Sequence, residues 1–210
     1  MAKKGAAKAK EEPLKLFYIF YSQERWDNWI KTLQEANFEA DETGDEMPEG
    51  LSLLYKFTED ITISVLKIIK LYQNNRFPKD EALERLQHVE DIIMNQSGPQ
   101  DLADIVESVQ ISLLVLFTSC KRYLSGEFEG EIKTLIKKGR ALPEDNMEEG
   151  LEIGAIIGAQ VINGASCCAK YIKDESENPT LFDDWLTEIE TMNEAIGSLK
   201  NFDEETGEEA

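Results

Sequence analysis

The chain has 210 residues, an apolar share of 41% and a formal charge of −20 from 42 acidic against 22 basic side chains. That length suits one domain with a substantial core. The charge excludes a nucleic-acid-binding or membrane-surface body, because holding phosphate or anionic lipid depends on Lys and Arg, so DNA is not an expected partner.

Residues 1–12 mix Lys, Ala, Gly and Glu without periodicity and read as a flexible basic tail. Lys3, Lys4, Lys8 and Lys10 make it the one concentrated positive region, suited at most to weak contact with RNA, a ribosome or an acidic partner. No apolar stretch with a small-residue cleavage site follows, so it does not read as a signal peptide. The aromatic run "LKLFYIFY" at 14–21 could form a strand, but it ends at Ser22, a good N-cap. Tyr21 and Trp26 then occupy the two positions of a hydrophobic staple, which packs the run beneath the next helix. That helix turns Trp26, Trp29, Ile30 and Leu33 to one face. Trp26 and Trp29 exceed what one helix needs and are candidates for contact with a partner protein.

From there a three-to-four-residue apolar spacing recurs almost without interruption. After "ADETGDEMPEG" it predicts a long helix over 48–74 with Leu51, Leu54, Ile61, Val65, Ile68 and Tyr72 inward and Leu53, Phe57 and Leu66 as a second stripe. Pro78 opens a helix burying Leu83, Leu86, Val89 and Ile93, and "QSGPQD" precedes another over about 100–124. That one turns Leu102, Ile105, Val109, Leu113, Leu116 and Cys120 inward. A short helix carries Phe128, Ile132, Leu135 and Ile136, with Gly139 suited to its C-terminal cap. The last begins at "NPTLFDDW" and aligns Phe182, Trp185, Ile189, Met192, Ile196 and Leu199. Residues 201–210 read as an acidic tail. The expected architecture is all-α: a single bundle of about seven helices over 13–200, with a central helix rich in small residues.

That central helix is the stretch "EGLEIGAIIGAQVINGASCCAKY" at 149–171. A phosphate loop would need Gly-Lys-Ser/Thr at the helix start, but Gly164 is followed by Ala165 and Ser166. A membrane span would need about twenty apolar residues, and Glu152, Gln160 and Asn163 interrupt it. Adjacent Cys167 and Cys168 diverge by about 100° on a helix and have no further Cys or His nearby in sequence with which to bind zinc. What survives is a helix stripped of bulk. Interior Gly costs about 1 kcal/mol per site, so Gly154, Gly158 and Gly164 require an offsetting close approach. Gly154, Gly158, Ala165 and Ala169 mark the expected seam, to a neighbouring helix or to a second copy. Gln160 and Asn163 are expected as a buried polar pair within it, needing partners or a ligand.

No catalytic set emerges. His88 is the single histidine, and its neighbours Glu81, Arg85, Asp91 and Asn95 place it toward solvent. Its spacing from Glu84 is not the Glu-x-x-His of di-iron bundles. Carboxylates at i,i+3 (Glu81 with Glu84; Asp101 with Asp104 and Glu107) echo the magnesium pairs of helical nucleotide pyrophosphatases, though 42 acidic residues generate such spacings by chance. Asp101 and Asp104 also suit the first turn of their helix, where the macrodipole favours acids. Three cysteines, without a Cys-x-x-Cys pair, fit a reduced cytoplasm.

The segment "FYSQERWDNWIKTLQEANFEADE" resembles the opening of a family of uncharacterised archaeal proteins, best represented in methanogens, and the likeness extends over about residues 17–199. The resemblance implies an archaeal cytoplasm and no particular activity or site. Two functions follow from the whole reading. The first is a non-enzymatic helical protein, without cofactor, that self-associates or joins a larger assembly as an adaptor. The alternative is a carboxylate-based, Mg-dependent bundle enzyme or small-ligand binder.

Overall fold

The computed structural model describes residues 20–39, 47–143, 145–166 and 180–206. Among them are seven helices and no strand: α1 Gln23–Gln34, α2 Glu49–Gln73, α3 Lys79–Met94, α4 Ala103–Ser125, α5 Ile132–Arg140, α6 Met147–Ile162 and α7 Leu181–Thr206. The expected all-α bundle is therefore the observed one. The basic start lies outside the described residues. At the other end α7 continues to Thr206, into the stretch whose composition reads as tail.

The entry to α1 follows from its local sequence. Ser22 is extended at the N-cap and its hydroxyl accepts from the Arg25 amide at 3.2 Å. Tyr21 and Trp26 are both buried, as a staple requires. At the other terminus of the bundle Thr180 and Asp183 cap α7 reciprocally. The Asp183 amide donates to the Thr180 hydroxyl at 3.3 Å, and the Thr180 amide donates back to the Asp183 carboxylate at 3.3 Å.

The core is one contiguous cluster. It runs from Trp26 and Leu33 on α1, through Phe57, Ile61, Val65 and Ile68 on α2, to Leu113, Leu116 and Phe117 on α4 and Trp185, Leu186, Ile189 and Met192 on α7. α4 is long and apolar enough to cross a membrane by composition, and here its Val106, Val109, Leu113, Val115, Leu116 and Phe117 are buried within the bundle. α6 lies against α4, α5 and α7. Trp185 fastens α7 to α4 by donating its indole N–H to the Ile111 carbonyl at 3.0 Å.

Three expectations about glycine and helix length are corrected. α6 ends at Ile162 rather than near residue 171, because Gly164 adopts φ +98°. The Ala165 amide donates to the Gln160 carbonyl and the Gly164 amide to the Val161 carbonyl, both at 2.9 Å, which is the paired termination of a Schellman motif. Gly164 is thus a stop signal and carries no interior-helix penalty. Gly139 is not a cap either; it is buried inside α5, where a Cβ would lie 2.1 Å from Cζ of Phe182. Phe128 precedes α5 and stacks on Tyr123, with ring centroids 5.9 Å apart.

Candidate interaction surfaces

The small-residue seam meets α4. A Cβ on Gly158 would lie 2.1 Å from the Ser119 hydroxyl oxygen, and one on Gly154 would lie 3.1 Å from Cγ2 of Val115. The close approach is therefore within the chain at both glycines. Ala165 lies past the end of α6, half-buried, and Ala169 lies outside the described residues, as do Cys167 and Cys168.

Gln160 and Asn163 do not form a buried pair. Gln160 is half-buried and donates through Nε2 to the Gly130 carbonyl at 3.0 Å, pinning the loop before α5. Asn163 is the exposed C-cap of α6. The early end of the helix is the physical cause, since it leaves Asn163 at a terminus.

Trp26 and Trp29 are likewise turned inward. Trp26 is 3% exposed and packs on Phe57 at 5.4 Å between ring centroids; Trp29 packs on the same ring at 5.6 Å. The Trp29 indole donates to Asp60 Oδ2 at 2.8 Å, and Arg25 closes the other side of that carboxylate through Nε at 2.8 Å and through Nη2. Asp60 joins α1 to α2 through two donors. Both tryptophans serve this joint and neither is a free contact surface.

The carboxylates separate. Glu81 is engaged by Arg85 at 2.5 Å, Asp101 precedes its helix and accepts from Gln34 at 3.3 Å, and no group of three or more metal-capable side chains converges among the described residues. Asp104 and Glu107 instead line an open groove of about 660 Å³ between α4 and α7, with Ser108, Ser112, Asp184 and Glu188. No Lys or Arg is among the described residues lining it. Burial raises the Glu188 carboxyl above its ordinary value, the Ser112 hydroxyl bond opposes this, and Asp184 adds to it. Burial and then Asp183 push Asp184 upward too. Asp183 points elsewhere. Burial would raise it, but the Arg140 guanidinium at 2.7 Å and the Thr180 hydroxyl at 2.8 Å bring it below the ordinary range.

The surface that sequence reasoning missed is on α2. Leu51 was expected in the core and is 45% exposed; Tyr55 is 56% exposed and Met47, just before the helix, 71%. Leu51, Tyr55, Thr58, Thr62, Leu66 and Ile69 fall at steps of three and four, a single stripe along the helix. Its lower half is covered: Thr62, Leu66 and Ile69 are at most 2% exposed, and Leu66 and Ile69 share a small cleft with Ile162, Ile196 and Leu199 from the ends of α6 and α7. The upper half of the same stripe has no such cover among the described residues. Periodicity alone shows the stripe and cannot show where its covering helices end.

The chain belongs to a family of uncharacterised proteins conserved in archaea (DUF2150), whose model matches residues 19–205. No curated protein and no solved structure matches it.

Proposed function

We propose that this archaeal chain is a non-catalytic helical interaction protein, cytoplasmic and cofactor-free, that joins an assembly or a second copy through the upper half of α2. One observation carries the reading. Met47, Leu51 and Tyr55 continue a stripe that is core further along the same helix, and they do so in solvent. Large apolar side chains aligned in this way favour burial by roughly 25 cal/mol per Å² of apolar surface removed from water. The seam at Gly154 and Gly158 is occupied by α4, which supports docking through α2 rather than through α6.

The test compares native-level complexes of the wild-type protein and a Leu51→Ser/Tyr55→Ser variant by gradient sedimentation and mass measurement. The expected result is that the wild type migrates with a partner or as an oligomer. The variant, melting at an unchanged temperature, migrates alone. Identical migration of the two proteins would sink the reading.

The carboxylate alternative has support in the groove of Asp104, Glu107, Asp184 and Glu188, which lacks a counter-cation among its described lining. A rise in melting temperature with Mg²⁺ or Mn²⁺, lost in Asp104→Asn/Glu188→Gln, would favour a ligand or substrate function over the adaptor.

A further inference from the structure

We infer that the occupant of the bare half of the α2 stripe is an amphipathic helix of another protein, apolar on one face and flanked by Lys or Arg. The inference rests on the interaction reading above and adds the chemistry of the partner.

The shape of the site argues for a helix. The lower half of the stripe is covered by helix ends, and the upper half repeats its three-and-four spacing with Leu51 and Tyr55 in place of Leu66 and Ile69. A surface with this periodicity accepts another helix by ridges and grooves, with anchors spaced i, i+4 and i+7. α1 occupies the neighbouring flank. The Gly50 amide donates to the Asn37 carbonyl at 2.8 Å, and the Phe38 ring covers Gly50, so the corner of α1 and α2 is fixed beside the bare stripe.

Charge selects the kind of helix. Acids outnumber bases among the described, exposed side chains from Lys31 to Glu59, with Lys31 and Lys56 as the bases. Glu35, Glu39 and Glu49 are exposed around the α1–α2 corner, and Glu59 is exposed one turn beyond Tyr55. An acidic helix brought to this corner meets an excess of like charge, with Glu35, Glu39, Glu49 and Glu59 against Lys31 and Lys56. A helix with basic flanks gains complementarity at the rim while its apolar face covers Leu51 and Tyr55. A second copy of this chain is disfavoured, because it would bring the same acidic corner against itself.

The experiment uses the full chain with ¹³C-methyl methionine and reads each methyl by NMR. Met47 reports the site, and Met147, 48% exposed beside Glu148 and Glu149, reports any acidic, apolar surface elsewhere. The probes are amphipathic helical peptides of one apolar pattern with Lys, Gln or Glu on the polar face. The expected result is a saturable shift of Met47 with the Leu–Lys peptide, little change at Met147, and affinity at least about tenfold weaker in Leu51→Ser/Tyr55→Ser. The Leu–Gln and Leu–Glu peptides are expected to bind at least about tenfold more weakly than Leu–Lys. Equal binding of all three peptides at Met47 would overturn the basic partner and leave the docking surface intact. No shift of Met47 with any peptide would overturn both. Equal shifts of Met47 and Met147 would reduce the effect to general charge attraction. A Met47 shift with protein concentration alone, accompanied by a dimer mass, would replace the partner by a second copy.

Discussion

Gly158 on α6 stands so close to Ser119 on α4 that a β-carbon there would lie 2.8 Å from the serine Cβ and 2.1 Å from its hydroxyl oxygen. Rotating the hydroxyl relieves only the second contact. Gly158→Ala is therefore expected to lower stability by about 2–3 kcal/mol, as overpacking of a tight core does. The same alanine in a Ser119→Gly background should recover most of that loss. Gly154→Ala meets only the end of a valine at 3.1 Å. The helix-propensity gain of about 1 kcal/mol should hold it near wild type. Urea unfolding of the three variants checks the order; equal losses at 154 and 158 would contradict it.

Ser119 also carries a prediction of its own. Its hydroxyl is fully buried with no hydrogen-bond partner among the described residues. Ser119→Ala keeps the Cβ and removes an unsatisfied polar atom, so it should be neutral or stabilising by about 1 kcal/mol. A large loss in chemical denaturation would show that the hydroxyl has a partner.

Two carboxylates on α7 are shifted in opposite directions from their ordinary values. Asp183 is held below its ordinary range by Arg140 and Thr180. Its contribution is present above the unfolded-state value and lost as pH falls through the depressed one. Asp183→Asn should cost about 1–2 kcal/mol at pH 7, with the gap closing below pH ~4.

Glu188 is raised by burial and by Asp184, and faces Ser112, Asp104 and Glu107 from α4. Its charged form opposes folding above the ordinary glutamate range, and the opposition fades as pH falls through the raised value. Glu188→Gln should therefore stabilise by about 1 kcal/mol at pH 7 and by nothing once pH drops below ~4. Melting temperatures of both α7 variants across pH 3–8 read these signs directly; parallel curves for wild type and variant would refute them.

Asp60 offers a spectroscopic test. It receives the Trp29 indole and the Arg25 guanidinium, and Asp60→Ala leaves the half-buried indole without its acceptor. A loss of about 1–3 kcal/mol is expected, together with a change in tryptophan emission from the α1–α2 joint. An unchanged spectrum and midpoint would place the joint elsewhere.

Helices, order and most of the core were legible because three-to-four spacing is a local property: Ser22 caps α1 as its chemistry requires, and Pro48 and Pro78 stand one residue before their helices, as N-caps rather than in the first turn. What failed was non-local. Gly164 and an interior helical glycine look alike until φ is known, and Asn163 changed from interior to cap with it. Gly139 needs Phe182, 43 residues away, to explain it. Trp26 and Trp29 looked surplus on α1 because Phe57 and Asp60, which engage them, belong to α2. The groove required Asp184 and Glu188 to be brought across to Asp104 and Glu107, a pairing with no signature in spacing. Leu51 was assigned inward because a stripe carries no information about where its cover stops.

The bond from Trp185 to the Ile111 carbonyl reaches back 74 residues, from a helix that emerges late in synthesis to one made far earlier. Phe182, Trp185, Leu186, Ile189 and Met192 complete the centre of the bundle, so the first six helices have left the ribosome before their common core can close. At about 5–20 residues per second, the roughly 70 residues after Ile111 take several seconds to translate. Throughout that interval the apolar face of α4 has no α7 to cover it. A translational pause introduced just before residue 181 is therefore expected to prolong the exposure of that face, and α7 to end it.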